Sequence, residues 1–253
     1  MLERTFVHIP GVGPQTERRL WERGIAGWRE ALAAHAPAPG FSPSRWQVLR
    51  SYAADSLASL ERADHCYFSQ VLPACYHWRA WSAFRDRTAY VDIETDGGFG
   101  RNAITVVGIY DGRRVRSYVR GENLNEAAEE LERYALLVTF NGATFDLPFL
   151  RRAFPAVDWR HMHIDLRYAL RQLGYSGGLK QVEKALGLVR EEAIRGLAGD
   201  DAIWLWQEYR RGSQEALELL LQYNAADIEN LERLLEWAFP RLCELAGSCR
   251  GNG

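Results

Sequence analysis

The chain predicts an α/β layer fold: a mixed central sheet flanked by helices, with a small helical appendage at the N-terminus. Residues 88–119 hold three short apolar runs, TAYVDIET, NAITVVGIY and RRVRSYV, separated by glycine-containing turns, which is how strands read. Residues 135–140, ALLVTF, form a fourth run, apolar enough to be buried on both faces. From there to about residue 239 apolar residues recur mostly at helical spacing, and strands followed by a strand and helices in alternation indicate an α/β architecture.

Taken in order, residues 1–36 form a unit in which IPGVGPQTERRLWERGI places Gly11 and Gly13 around Val12 before an amphipathic run that stops at Gly24. Pro37, Pro39, Gly40 and Pro43 break the chain. Residues 37–87 read as a helical and irregular connector, with a helix at 44–63 whose Trp46, Leu49, Tyr52, Ala53, Leu57 and Leu60 share one stripe. The main domain is expected at 88–240. It has a hairpin at Asp111-Gly112, a helix at 123–134 with an acidic outer face, and a helix at about 145–153. Residues 241–253 read as a frayed tail. No internal repeat or low-complexity tract interrupts this order.

Composition narrows the function classes. With 253 residues, 47% hydrophobic and 25% charged, the chain has enough apolar material for a globular core. No run approaches the roughly 18 apolar residues of a membrane span, and the N-terminus lacks a secretory layout, so cytoplasmic residence without a membrane partner is expected. Cys66, Cys75, Cys243 and Cys249 have no CxxC spacing, which argues against a cysteine-held metal and for reduced thiols. A net charge of −2 excludes polyanion binding by bulk charge but not by local patches. Only Lys180 and Lys184 are lysine among the 31 basic residues. The arginine bias fits a GC-rich genome and also suits bidentate phosphate contacts.

The acids carry the chemistry. Asp92 and Glu94 in VDIET lie two apart, so on a strand they project to one face while Val91 and Ile93 face the other layer. Like charges this close repel unless a cation intervenes, although a strand at the surface can carry solvated acids. Asp146 follows ALLVTF in NGATFDLPFL, at the carboxyl end of a strand where α/β sheets gather ligands. In the first turn of a helix it also suits N-terminal capping. Tyr223 and Asp227 in QYNAADIENL are four apart and share a helix face; the alternative is a tyrosine at the core edge with Asp227 in solvent. Together, four carboxylates on ordered elements suggest a divalent-metal site, because burying them uncompensated is costly.

As a set, VDIET, TFNGATFDLPFL and YNAAD resemble the three motifs of the DnaQ-like, or DEDD, 3′–5′ exonucleases of the ribonuclease H-like superfamily, across residues 88–238. The third is of the Tyr-x-x-x-Asp form, since Gln222 stands where the other branch has histidine. The layout is most similar to YprB-type ribonuclease H-like proteins. The resemblance implies a ribonuclease H-like fold and two divalent cations, Mg²⁺ or Mn²⁺, about 3.5–4 Å apart on a scissile phosphate. It implies that Asp92 bridges both, that Glu94 and Asp227 hold the one that activates water, and that Asp146 holds the other. Tyr223 would orient the attacking water, its ordinary pKa of about 10 being too high for a base. The implied partners are single-stranded DNA or RNA ends, and the implied products are nucleoside 5′-monophosphates. A structure-specific endonuclease or ribonuclease, or a non-catalytic nucleic-acid-binding module, would use the same fold.

Other residues have weaker functional readings. Thr95 and Asn141 are candidate nucleic-acid contacts, Asn141 equally a turn-former; Asp96 reads as a turn residue and Asp165 as a helix cap. His161 and His163 read as structural. Lys180 reads as a surface lysine that opens a helix after two glycines. IPGVGPQTERRL resembles a helix-hairpin-helix motif, implying that the backbone at Gly11, Val12 and Gly13 meets a phosphate, at a duplex junction for instance, without reading bases. Glu17 departs from that motif, where a small residue is commoner. Trp78, Trp81, Trp204 and Trp206 suit core packing better than base stacking.

Overall fold

The computed structural model describes residues 1–100, 102–197 and 199–247. It divides into two compact units, one of Met1–Arg85 with Arg160–Met162 and the chain from Phe239 onward, the other of Asp86–Trp159 with His163–Ala238. Among the described residues no helix is long and apolar enough to cross a membrane.

The first unit begins with a three-residue 3-10 turn, Leu2–Arg4, and the glycine hairpin, then α1 (Pro14–Glu22), α2 (Trp28–Ala33), α3 (Pro43–Glu61) and α4 (His65–Val71). Proline at the first position starts both α1 and α3, where its missing N–H costs nothing. The connector is thus more regular than its composition suggests: α4 and a 3-10 segment, Ala74–Ala80, occupy it. Trp28 is fully buried. It stacks on Phe68 with centroids 6.0 Å apart, while its indole N–H donates to the Thr5 carbonyl at 2.6 Å.

Glu17, the residue that departs from the hairpin motif, is a structural pin. It is 1% exposed, accepts from the backbone N–H of Phe6 at 2.5 Å and Val7 at 3.2 Å, and receives Arg79 Nη1 on both oxygens at 2.9 Å. The carboxylate holds the chain that leads into the hairpin.

In the second unit, β1 (Thr88–Thr95) pairs antiparallel with β2 (Ile104–Tyr110), which pairs antiparallel with β3 (Val115–Val119). The segment expected as a helix at 123–134 is shorter, a 3-10 turn followed by α5 (Ala127–Leu131). Next, β4 (Leu136–Thr139) lies parallel to β1, with Tyr90 opposite Val138. Then come α6 (Asp146–Ala153), β5 (Met162–Asp165), α7 (Leu166–Gln172), α8 (Leu179–Ala185), α9 (Gly199–Arg210) and α10 (Gln214–Ala246). The sheet order is β3-β2-β1-β4-β5, a mixed sheet with β1 at its centre.

Two apolar layers cover the sheet. Val91 and Ile93 of β1 join Val107, Ile109, Leu137, Leu147 and Leu150 on one side. On the other, Val106 and Val119 pack with Leu205, Trp206, Leu220 and Tyr223 of α9 and α10. Trp78, Trp81 and Trp206 are core residues, and Trp204 is 56% exposed.

The last helix does not stop near Phe239. α10 runs through Pro240 to Ala246, although an internal proline forfeits a backbone hydrogen bond and costs about 3 kcal/mol. Burial of Leu242 and Cys243 and the edge-to-face packing of Phe239 on Trp78 and Trp81, at 6.1 and 5.0 Å, offset that cost. Cys66, Cys75 and Cys243 are not in disulfides; Cys249 and the end of the expected tail lie outside the described residues.

Removing one partner of a buried ion pair strands the other charge at a cost of about 3–5 kcal/mol. Arg79→Met should therefore lose about that much stability in urea unfolding, whereas the exposed Arg29, paired with Glu3 at 3.6 Å, should cost under about 1 kcal/mol when replaced by alanine.

Candidate metal centre

The period of β1 brings the first acids together. With Val91 and Ile93 committed to one layer, Asp92 and Glu94 project toward α9 and α10. Opposite Asp92 in the register is Gly108. A Cβ there would overlap Asn224 Oδ1, so the glycine leaves room for a wholly buried asparagine of α10. Asn224 Nδ2 then donates to Asp92 Oδ2 at 2.9 Å. Asp227 lies one helical turn from Tyr223 on α10, and one carboxylate oxygen each from Asp92, Glu94 and Asp227 lie within 4.8 Å of one another.

Asp146, 2% exposed, opens α6 and accepts the Ile93 N–H through Oδ1 at 3.1 Å, tying its helix to the middle of β1. It stands close enough to Asp92 to raise its pKa by repulsion. A pocket of about 340 Å³ opens over these groups, lined by Asp92, Glu94, Thr95, Phe145, Tyr223 and Asp227 among others. Asp92, Glu94, Thr95, Tyr223 and Asp227 thus line one pocket, and Asp146 is tied to the same strand through the Ile93 N–H.

Burial dominates the electrostatics. It drives Asp92 well above the ordinary carboxylate range, with repulsion from Asp146, Asp227 and Glu94 adding to it. Burial pushes Glu94 up to about 8, helped by Asp227, and Asp146 up to about 7 despite the backbone N–H groups that favour its charged form. Asp227 rises less, to about 6, because Arg190 opposes the effect of burial. The Tyr223 hydroxyl is raised by burial and then by Asp227, Glu94 and Asp92. It is a proton donor at neutral pH, not a base.

Two cations that motif spacing does not reveal complete the site. Lys180 is not a surface lysine: its ammonium is buried, without a hydrogen-bond partner, and lies 4.6 Å from the Tyr223 ring centroid. Burial lowers its pKa. Arg190 lies 5.6 Å from the same centroid and forms an ion pair with Asp227 Oδ1. Its arrival from a loop after α8 leaves no periodic signal in the sequence.

Asn141 has φ +66°, a left-handed turn that asparagine tolerates. Its Oδ1 accepts from Arg167 Nη1 of α7 at 2.6 Å and the Thr144 hydroxyl at 3.1 Å. Asp165 caps α7 and accepts the N–H groups of Asn141 and Ala143 at 2.8 and 3.0 Å. Asp96 accepts from Gly98 N–H at 3.0 Å and pairs with Arg120 at 2.8 Å, a turn role. His163 shares a hydrogen bond with Thr139 at 2.9 Å.

In the first unit, Gly11 has φ +78°, Val12 is buried, and Gly13 is the N-cap of α1. Arg45 Nη2 donates to the Gly11 carbonyl at 3.0 Å. The element before the hairpin is a 3-10 turn.

A family model described as the RNase H superfamily matches residues 89–239, a stretch that contains all three acidic segments. The chain belongs to the RNase H superfamily. No curated protein and no solved structure matches it. Membership implies a nuclease, and nucleases of this superfamily bind nucleic acid and use divalent metals. The residues present fit such ions: the clustered donors are carboxylate oxygens, the hard ligands that Mg²⁺ and Mn²⁺ take, and they repel one another when empty-handed.

The sign of that repulsion is testable. An acid whose folded pKa is raised stabilises the fold while protonated and loses that contribution as pH rises through the folded value. In EDTA the melting temperature should fall between about pH 6.5 and 9, as Asp146 and Glu94 ionise at about 7 and 8. Starting at about 6.5 also avoids His8, which burial lowers to about 4 and which destabilises only on the acid side. Mg²⁺ or Mn²⁺ should raise the melting temperature more at the upper end of the range; a pH-independent curve without metal would contradict the assignment.

Proposed function

We propose that this RNase H superfamily member is a metal-dependent 3′–5′ exonuclease of the DnaQ-like, tyrosine-bearing type, acting on single-stranded ends. The observation that carries the reading is the approach of Asp92, Glu94 and Asp227 to within 4.8 Å in a pocket that Tyr223 also lines, with Asp146 hydrogen-bonded to the Ile93 N–H between the first two. Asp92, Glu94 and Asp227 would hold one Mg²⁺ or Mn²⁺, and Asp146 with Asp92 the second. Bound there, the ions supply Lewis-acid stabilisation of charge on the phosphoryl oxygens and an activated water.

The chain's own groups orient and exclude. Tyr223, held protonated, donates a hydrogen bond that fixes the attacking water. Asn224 holds one oxygen of Asp92 and leaves the other to a cation. Phe99 and Phe145, 81% and 38% exposed, are pocket-lining aromatics on which an unpaired terminal base can stack, worth about 1–3 kcal/mol per base and tolerant of sequence. That favours an unpaired end over a duplex. Thr95 and the backbone beside it are within the same pocket and suit contact with the terminal nucleotide. In the first unit the Gly11-Val12-Gly13 backbone at the start of α1 suits a phosphate of adjoining nucleic acid.

With a labelled single strand and Mg²⁺ or Mn²⁺, we expect nucleoside 5′-monophosphates from the 3′ end. Asp92→Ala should lower kcat/KM by about 10²–10³-fold, the scale of losing a group that stabilises transition-state charge. Full activity in that variant would overturn the assignment of the acids, and internal fragments would make the enzyme an endonuclease. Matched DNA and RNA strands decide the sugar.

A further inference from the structure

Asp227 and Tyr223, the two functional candidates of α10, are gripped from outside their own helix. Arg190 Nε and Nη2 donate to both oxygens of Glu183 at 2.8 and 2.7 Å. Asn230 Nδ2 donates to Glu183 Oε1 at 2.9 Å. The same Arg190 pairs with Asp227 Oδ1 and lies 5.6 Å from the Tyr223 ring centroid. Arg190, Glu183, Asn230 and Asp227 are 8%, 2%, 3% and 6% exposed, so this is a buried chain in which hydrogen bonds hold Arg190 and Asn230 on Glu183 and an ion pair links Arg190 to Asp227.

A buried Arg–carboxylate pair is expensive to assemble and gives little stability compared with apolar packing. Its geometry is what an apolar replacement would lack. The guanidinium is planar and its donors are fixed in a fork, so Glu183, by taking two donors, sets the plane of Arg190 and the direction of what remains. Charge accounting points the same way. Glu183 offsets part of the Arg190 charge, and what remains favours the ionised form of Asp227. A carboxylate has two oxygens; with Oδ1 on Arg190, Asp227 keeps Oδ2 for a cation.

We propose that Arg190, clamped by Glu183, is a positioning residue that fixes the Asp227 carboxylate for metal binding. The proposal rests on the metal-dependent reading of the site, and its test separates the two. Mn²⁺ binding to the full chain, followed by calorimetry and electron paramagnetic resonance without nucleic acid, reads the claim without relying on turnover. Loss of an outer partner of a metal ligand commonly weakens binding about 10–100-fold, and that is the loss expected in Arg190→Met. Glu183→Gln, which keeps shape but frees the fork, should weaken binding in the same direction by less. The charge-balanced double variant Arg190→Met/Glu183→Met removes the clamp without changing net charge and should bind Mn²⁺ as poorly as Arg190→Met. Arg190→Lys keeps the charge but lacks the fork and should not restore affinity.

Thermal melting identifies any variant that fails to fold, and Glu183→Gln keeps the test open if Arg190→Met does. Folded variants that bind Mn²⁺ as tightly as the wild type, or more tightly, would overturn the positioning role. So would full rescue by lysine, which would reduce Arg190 to a simple charge. A wild-type chain that binds no Mn²⁺ would instead sink the metal reading, and the proposal with it.

Discussion

Four carboxylates share the interior of one small α/β unit, and much of the local structure exists to tolerate them. Taking a single carboxylate out of water costs several kcal/mol even after relaxation. Asp92, Glu94, Asp146 and Asp227 all rise above the ordinary carboxylate range, chiefly through burial, with repulsion from neighbouring acids adding to it. The compensation inside the chain is partial. Asn224 serves Asp92, the Ile93 N–H serves Asp146, and Arg190 serves Asp227. Gly108 is a consequence: a β-strand in a packed sheet forgoes a side chain so that Asn224 can reach across. A protein that wanted only stability would place apolar residues here, so the arrangement is explained by the cation it can receive.

The parts of this site that follow chain periodicity were legible in the sequence. Asp92 and Glu94 share a face because strands repeat every two residues, and Tyr223 and Asp227 share one because helices repeat every 3.6. Asp146 was placed by its position after a buried strand, and the turn role of Asp96 and the cap role of Asp165 followed from local chemistry. Partners that arrive from elsewhere were not legible. Arg190 and Glu183 look like two charges among many in a polar stretch, and only the fold brings them beneath α10. Lys180 opens a helix after two glycines, a pattern that suits either a phosphate contact or a surface lysine, whereas burial of its ammonium beside Tyr223 is a tertiary outcome. Glu17 broke a motif locally, and the reason, Arg79, lies in a distant segment.

The end of α10 shows the same limit from the other direction. Pro240 is a sound local signal for termination, and it was overruled by apolar burial of Phe239, Leu242 and Cys243 that no local pattern announces. The glycine hairpin is intermediate: its turn is encoded by Gly11, while the Arg45 contact to the Gly11 carbonyl comes from a distant helix. Local rules therefore pick out the clustered acids, and long-range contacts decide how they are held.

The central claim is that the clustered acids hold cations against a scissile phosphate. The most direct measurement replaces one non-bridging oxygen of the terminal linkage by sulfur, in each of the two stereoisomers, and compares cleavage in Mg²⁺ and Mn²⁺. Mg²⁺ prefers hard oxygen ligands and Mn²⁺ tolerates softer ones. The account predicts that one stereoisomer is cut much more slowly than the all-oxygen strand in Mg²⁺ and recovers in Mn²⁺. Equal rates for both stereoisomers in both metals would contradict it.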